Sequence, residues 1–214
     1  TVYKQVNKRY EELLEIDKEK ILSFKKAGAV AFKIFTIKPP SGREDEFEGL
    51  SITDRGHLYH TLSLIKQTNL VCTIHAESDE LLKHYRYILP EGKIQNPESH
   101  NLLRPAFVEN SAINEILYIN KHAKAKLHIA HLSSKEGLEI INYYRNIGVD
   151  VSTETCPHYL FYNKNVLKKY GNFVKINPPI RESKDQKGLW DGIINNKIEI
   201  IASDHAAFCQ SEKL

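Results

Sequence analysis

Residues 126–154 read KLHIAHLSSKEGLEIINYYRNIGVDVSTE, and this stretch decides the fold. It opens on an apolar run of strand length, Lys126–His131. Ser133 and Glu136 follow at the spacing of a capping box, in which two side chains satisfy backbone N–H groups left open at a helix start. Leu138, Ile141 and Tyr144 then recur at helical spacing across Lys135–Asn146, and Gly148 ends the helix. A second apolar run, Val149–Glu154, comes directly after. Strand, helix and strand in so short a span make a βαβ unit, whose two strands must be parallel.

The same alternation extends in both directions. Ala29–Phe35 (AVAFKIF), Leu70–His75 (LVCTIH) and Ile198–Ser203 (IEIIAS) read as further strands. Asp54–Thr68 and Ser111–Ala123 carry apolar residues at helical spacing, and Trp190–Asn196 is a shorter helix. Glu80–Tyr87 has helical character within the long connection Ala76–Pro105. Tyr10–Lys26 is amphipathic and stops at Gly28. Repeated strand and helix imply an α/β fold with a parallel sheet. The runs are nearly continuous in apolar residues, which predicts strands covered on both faces.

Composition excludes several classes. The 214 residues are 41% hydrophobic and 27% charged with a formal net charge of +3, which suits a globular core and not a disordered tail. Lys and Arg are dispersed, so no nucleic-acid surface is expected. No run approaches the roughly 20 apolar residues that cross a bilayer, so no membrane partner is expected either. The three Cys are odd in number and far apart, which points to a reducing, cytoplasmic setting. The chain contains no Met.

Polar residues stand at five successive strand ends: Lys33, His75, His131, Glu154 and Asp204. Parallel strands in a barrel bring their C-terminal ends to one face, where catalytic groups collect. Lys33 sits inside an apolar run, where an ammonium is costly; it can snorkel, pair, or react as a neutral amine with carbon dioxide. Imidazole with carboxylate is a ligand set for a zinc-type catalytic site. Strand alternation puts His128 and His131 on opposite faces, and His131 at the strand end is the expected site residue. His60, His84, His100 and His122 fall in helices or loops and are read as structural. Asp204, in SDH after the last strand, has the chemistry of a general base or of a helix cap.

These stretches together resemble a known family. FKIF around Lys33, HAE at His75–Glu77, HLSS at His131–Ser134, ETCPHYL at Glu154–Leu160, NPPIR at Asn177–Arg181 and SDHA at Ser203–Ala206 occur in the order found in the cyclic amidohydrolases. That family includes dihydroorotase, allantoinase, and hydantoinase or dihydropyrimidinase. The resemblance implies a (β/α)8 barrel, present here in part, with strands four to eight. It implies two divalent metal ions, zinc foremost, bridged by a carboxylated Lys33. His75 and His131 then match the histidines of the second metal. Asp204 matches the metal-bound aspartate that acts as general base and then acid, and Asn177 the residue that contacts the substrate ring. The implied reaction is hydrolysis of a cyclic amide or ureide C–N bond by a metal-bridging hydroxide.

Two departures from the family are visible. The His-x-His pair of the first barrel strand is absent. Thr36-Ile37-Lys38 stands where hydantoinases carry a Tyr, and Asn177 where they carry a Ser, so a dihydroorotase- or allantoinase-like enzyme is favoured over a hydantoinase. A non-catalytic scaffold relative and an unrelated α/β barrel are the alternatives from other classes. A complete barrel takes about 250 residues. Residues 1–214 are therefore expected to be part of a barrel domain, with N-terminal strands and the C-terminal end missing. That part alone is expected neither to close nor to turn over substrate, and the full-length parent to form a homo-oligomer.

Overall fold

The computed structural model describes residue 15 and residues 18–39, 42–47, 49–94 and 96–213. Of the expected N-terminal helix, residues 10–14, 16 and 17 lie outside the described residues; 18–26 are helical (α1). Five strands follow: β1 Ala31–Phe35, β2 Val71–His75, β3 Lys126–Ile129, β4 Val151–Thr155 and β5 Ile200–Ile201. All neighbouring pairs are parallel, in the order β1-β2-β3-β4-β5. Between them lie α2 Arg55–Thr68, α3 Asp79–Ile88, α4 Ala106–Ala123, α5 Lys135–Asn146 and α6 Ser183–Ile194. A doubly wound sheet would reverse its order at a switch point. Here the order is sequential, and α2, α4, α5 and α6 pack each against the next. That is the arrangement of a (β/α)8 barrel in part.

Strand register separates two kinds of surface. Phe32, Cys72, Leu127 and Val151 lie on one rung, and Ile34, Ile74, Ile129 and Thr153 on another two residues along. Their side chains share the face that joins Leu58, Leu62, Ile113, Ile116, Leu117 and Ile141 from the helices in one buried cluster. The alternate rung holds Lys33, Thr73, His128 and Ser152. The expectation of strands apolar on both faces is thus corrected. One face is apolar and helix-covered, and the other is a row of polar side chains that converges at the strand ends.

Several element boundaries differ from expectation for local reasons. Ser134, and not Ser133, caps α5: its Oγ accepts from the Gly137 N–H at 3.0 Å. Ser133 instead donates to buried Glu109. Helix α4 starts at Ala106 and not Ser111, because Glu109 and Asn110 are buried in its first turns, hydrogen-bonded where an apolar pattern would put Leu or Ile. Helix α6 starts at Ser183 and not Trp190. Its Gly192 permits close approach to α5, since a Cβ there would lie 2.5 Å from Leu138 Cδ2. Strand β5 is only two residues long.

Candidate active site

His75 is the last residue of β2, and its buried Nδ1 lies 3.0 Å from Nε2 of His131. His131 is two residues beyond β3, at φ 39°. Non-glycine residues with positive φ are uncommon. Of the five here, Asn69, Lys124 and Asn196 sit at helix C-termini, where this conformation is ordinary. The other two are His131 and, at φ 48°, Asp204. Both are predicted site residues just past strands β3 and β5. The left-handed turn releases His131 from strand alternation. His128 and His131 therefore do not part to opposite faces as expected, and both reach Glu154. His128 Nε2 lies 3.3 Å from Glu154 Oε2, while the His131 backbone N–H donates to Oε1 at 3.3 Å.

A buried carboxylate orients His75. Glu77 is fully enclosed; its Oε2 lies 2.8 Å from His75 Nε2 and also accepts from Arg104. Burial alone would raise this carboxyl, but the Arg104 guanidinium, helped by the His75 hydrogen bond, holds it down at about 2. An ionised Glu77 can only accept, so it keeps a proton on His75 Nε2 and leaves Nδ1 with its lone pair toward His131. Thr36 braces this turn: the Glu77 N–H donates to its hydroxyl at 3.2 Å, and that hydroxyl lies 2.9 Å from the Glu77 carbonyl.

A second network supports the first. Glu109 on α4 accepts from the Ser133 N–H at 3.0 Å and pairs with Arg181 at 3.1 Å. Arg181 also donates to Ser133 Oγ at 2.9 Å and to the backbone carbonyl of Arg104. The HLSS turn, the NPPIR segment and the arginine that holds Glu77 are thereby locked together.

Lys33, Glu154 and Asp204 form the other half of the site. Lys33 is half-buried, with Nζ 5.0 Å from the Phe35 ring centroid. Burial lowers its ammonium pKa, opposed by Asp204 and Glu154. Asp204 stands in an exposed stretch, yet partial desolvation is the largest cause raising its carboxyl, with Lys33 opposing and Glu154 adding. The His128 hydrogen bond is the largest cause lowering Glu154. Burial is likewise the main reason His131 falls well below the ordinary imidazole range. Asn177 lines a cavity of about 490 Å³ together with His100, Lys175 and Asp204.

The predicted residues are thus gathered unequally. His75 and His131 touch, Lys33 and Asp204 act on each other through space, and Asn177 reaches only the cavity wall. Among the described residues, no three His, Cys, Asp or Glu side chains form a ready cation cage. The histidine pair nevertheless fits one. Two imidazoles on a tetrahedral zinc-type ion have nitrogens about 3.3 Å apart, from metal–nitrogen lengths of roughly 2.0–2.1 Å. The observed 3.0 Å is close to that, both rings are buried, and His131 Nδ1 has no hydrogen-bond partner. Sequence reasoning missed Glu77 as an orienting group, although it stands inside the HAE motif. It also missed Arg104 and His128, whose roles depend on partners 27 and 26 residues away. No helix among the described residues is long and apolar enough to cross a membrane.

No protein-family model matches the chain. It is 29% identical over 199 residues to an allantoinase from Salmonella paratyphi B, covering 91% of this chain and 42% of the relative. An L-hydantoinase (dihydropyrimidinase) from Arthrobacter aurescens superposes with a TM-score of 0.80 at 26% identity, over 88% of this chain and 40% of that one. A dihydropyrimidinase from Brevibacillus agri gives 0.81 at 26% identity, over 91% and 41%. A dihydroorotase from Campylobacter jejuni, at TM-score 0.65 and 16% identity over 91% and 49%, shares the fold. The chain spans less than half the length of each.

Proposed function

We propose that this chain, a relative of the cyclic amidohydrolases, is part of the barrel of a metal-dependent hydrolase that opens a cyclic amide or ureide at its C–N bond. One observation carries the reading: the buried His75 Nδ1 and His131 Nε2 converge at the ends of neighbouring parallel strands, with Lys33 and Asp204 acting on each other beside them.

His75 and His131 would hold a divalent cation, with Asp204 and Lys33 completing the donor set. Divalent cations, when bound, supply an acidified water and polarise the scissile carbonyl. Burial favours the neutral amine of Lys33, which can add to carbon dioxide and release a proton to leave an anionic carbamate with two donor oxygens. Glu77 keeps the proton on His75 Nε2, so that Nδ1 remains a ligand atom. Asp204, with its carboxyl raised, is suited to take a proton from the attacking water and return it to the departing ring nitrogen. Asn177 would orient the ring from the cavity wall. The buried thiols Cys72 and Cys156 suit a reducing, cytoplasmic setting.

The test uses the full-length protein containing this chain. Bound divalent ions are counted, and allantoin, hydantoin, dihydrouracil and dihydroorotate are offered as substrates. Turnover of at least one ring is expected, lost in Asp204→Asn and His131→Ala. A protein that holds no metal and opens none of these rings overturns the reading.

A further inference from the structure

The chain has a cavity that the hydrolytic site does not use. It encloses about 470 Å³ between β1, α3 and the segment before Asn177. Lys38, Lys83, Arg86, Arg104 and Lys175 line it, with Asp79 as the single acid. Lys83 is paired with Asp79, and Arg104 with Glu77. Lys38, Arg86 and Lys175 form no ion pair among the described residues. Three uncompensated cations around one cavity repel each other, and this repulsion is relieved by a bound anion. His100, also in the wall, is kept neutral by burial, so it adds no charge of its own at neutral pH.

The cavity adjoins the hydrolytic site. His100, Lys175 and Asn177 also line the cavity that contains Asp204, so the two share a wall. A molecule with its ring beside Asn177 and Asp204 has the cationic cavity as its next neighbour. An arginine there offers the planar fork that matches a carboxylate.

We propose that the cavity formed by Lys38, Arg86 and Lys175 docks a carboxylate carried by the cyclic amide itself, so that the substrate class is an acid-substituted ring. The proposal rests on the hydrolase reading above. It makes Lys38 and Arg86 specificity residues that touch the substituent and not the reacting carbonyl. Lys38 stands where the related hydantoinases were expected to carry a Tyr, so the sequence departs from them where the charge preference is set.

The experiment pairs rings that differ in one charged group: dihydrouracil with dihydroorotate, and hydantoin with hydantoin-5-acetic acid. The metal-loaded, full-length protein is expected to favour the acid of each pair in kcat/KM by about ten-fold or more. That preference should shrink as salt is raised, and should fall about ten-fold in Arg86→Gln and in Lys38→Gln. Preference for the neutral rings, or an acid preference unchanged in both variants, overturns the proposal. Calorimetric binding of the same four probes separates the two readings. If the wild type opens no ring, the hydrolase reading fails and binding alone decides this one. Tighter binding of the acids, weakened in Arg86→Gln, supports the docking site. Equal binding of acid and neutral probes refutes it.

Discussion

Replacing Glu77 by glutamine separates what holds the fold from what prepares a ligand nitrogen. The wild-type carboxyl is held at about 2 against an ordinary 4.5. A shift of that size corresponds to roughly 3 kcal/mol of preference for the ionised form in the folded state. The amide cannot supply that, and Arg104, only one-fifth exposed, is left beside an uncharged partner. Breaking a buried ion pair from one side costs about 3–5 kcal/mol. Partial exposure of Arg104 places the expected loss at the lower end, about 3 kcal/mol in urea unfolding of the metal-free protein.

The second effect is on His75. A carboxylate can only accept from Nε2–H, whereas an amide can present either its oxygen or its NH₂ group. Once the introduced amide can donate to Nε2, part of the population carries its proton on Nδ1, where a cation should bind. Metal affinity, read by competition with a chelator under native conditions, should fall about 10–100-fold. The double variant Glu77→Gln/Arg104→Met removes the stranded cation. It should recover most of the stability and none of the affinity. If the affinity of Glu77→Gln equals wild type, or if stability and affinity recover together in the double variant, Glu77 is only half of an ion pair and the orienting role is refuted.

Other expectations follow from single groups. Lys33 should take up ¹³C-labelled carbon dioxide as a carbamate visible by NMR and absent in Lys33→Ala; an identical signal in the variant would place the carbamate elsewhere. His100 is buried, its Nε2 lies 2.7 Å from the Ile176 carbonyl oxygen, and it is lowered from 6.5 to about 4, burial being the main cause. The folded state then refuses a proton that the unfolded chain accepts, so stability is full above pH 6.5 and falls as pH drops toward 4, by up to roughly 3 kcal/mol. Urea unfolding of wild type and His100→Gln across that window should show a steeper loss in wild type; parallel curves would sink the idea. Gly192→Ala would push a Cβ to 2.5 Å from Leu138 Cδ2 and 2.9 Å from Ile198 Cδ1. It should cost about 1–3 kcal/mol, part of it regained with Leu138→Ala; wild-type stability in Gly192→Ala would show that α5 and α6 separate freely.

The order of strands and helices was legible because it depends on local signals. Val- and Ile-rich runs, Gly148 after a periodic helix and a Ser before α5 each act within a few residues. Site residues at strand ends were legible for a related reason: Lys33, His75 and Glu154 obey the two-residue alternation of the strands that carry them. What stayed hidden depends on distant partners. Glu109 and Asn110 looked like surface residues until Ser133, Arg181 and Glu136 met them. The polar face of the sheet was hidden too, because single His, Thr and Ser residues in apolar runs add up to a row only when strand register aligns them.

Two rules of placement meet in this site. Lys33, His128 and Glu154 are aimed by strand alternation, so their directions are fixed by the same register that aligns the apolar rungs under the helices. Moving any of them means moving core packing. His131 and Asp204 are aimed by left-handed backbone just outside the strands, at φ 39° and 48°. Their directions can change without disturbing a rung, at the cost of a conformation that side chains rarely adopt. The residue held by neither rule alone is His75. It is in register with Phe35, yet its ring is set by Glu77, which Arg104 holds from a connection outside the sheet. The orientation of the first candidate ligand therefore depends on the segment that also borders the cationic cavity. A ligand that draws Arg104 toward that cavity would loosen Glu77, and so connects occupancy of the cavity to the imidazole pair.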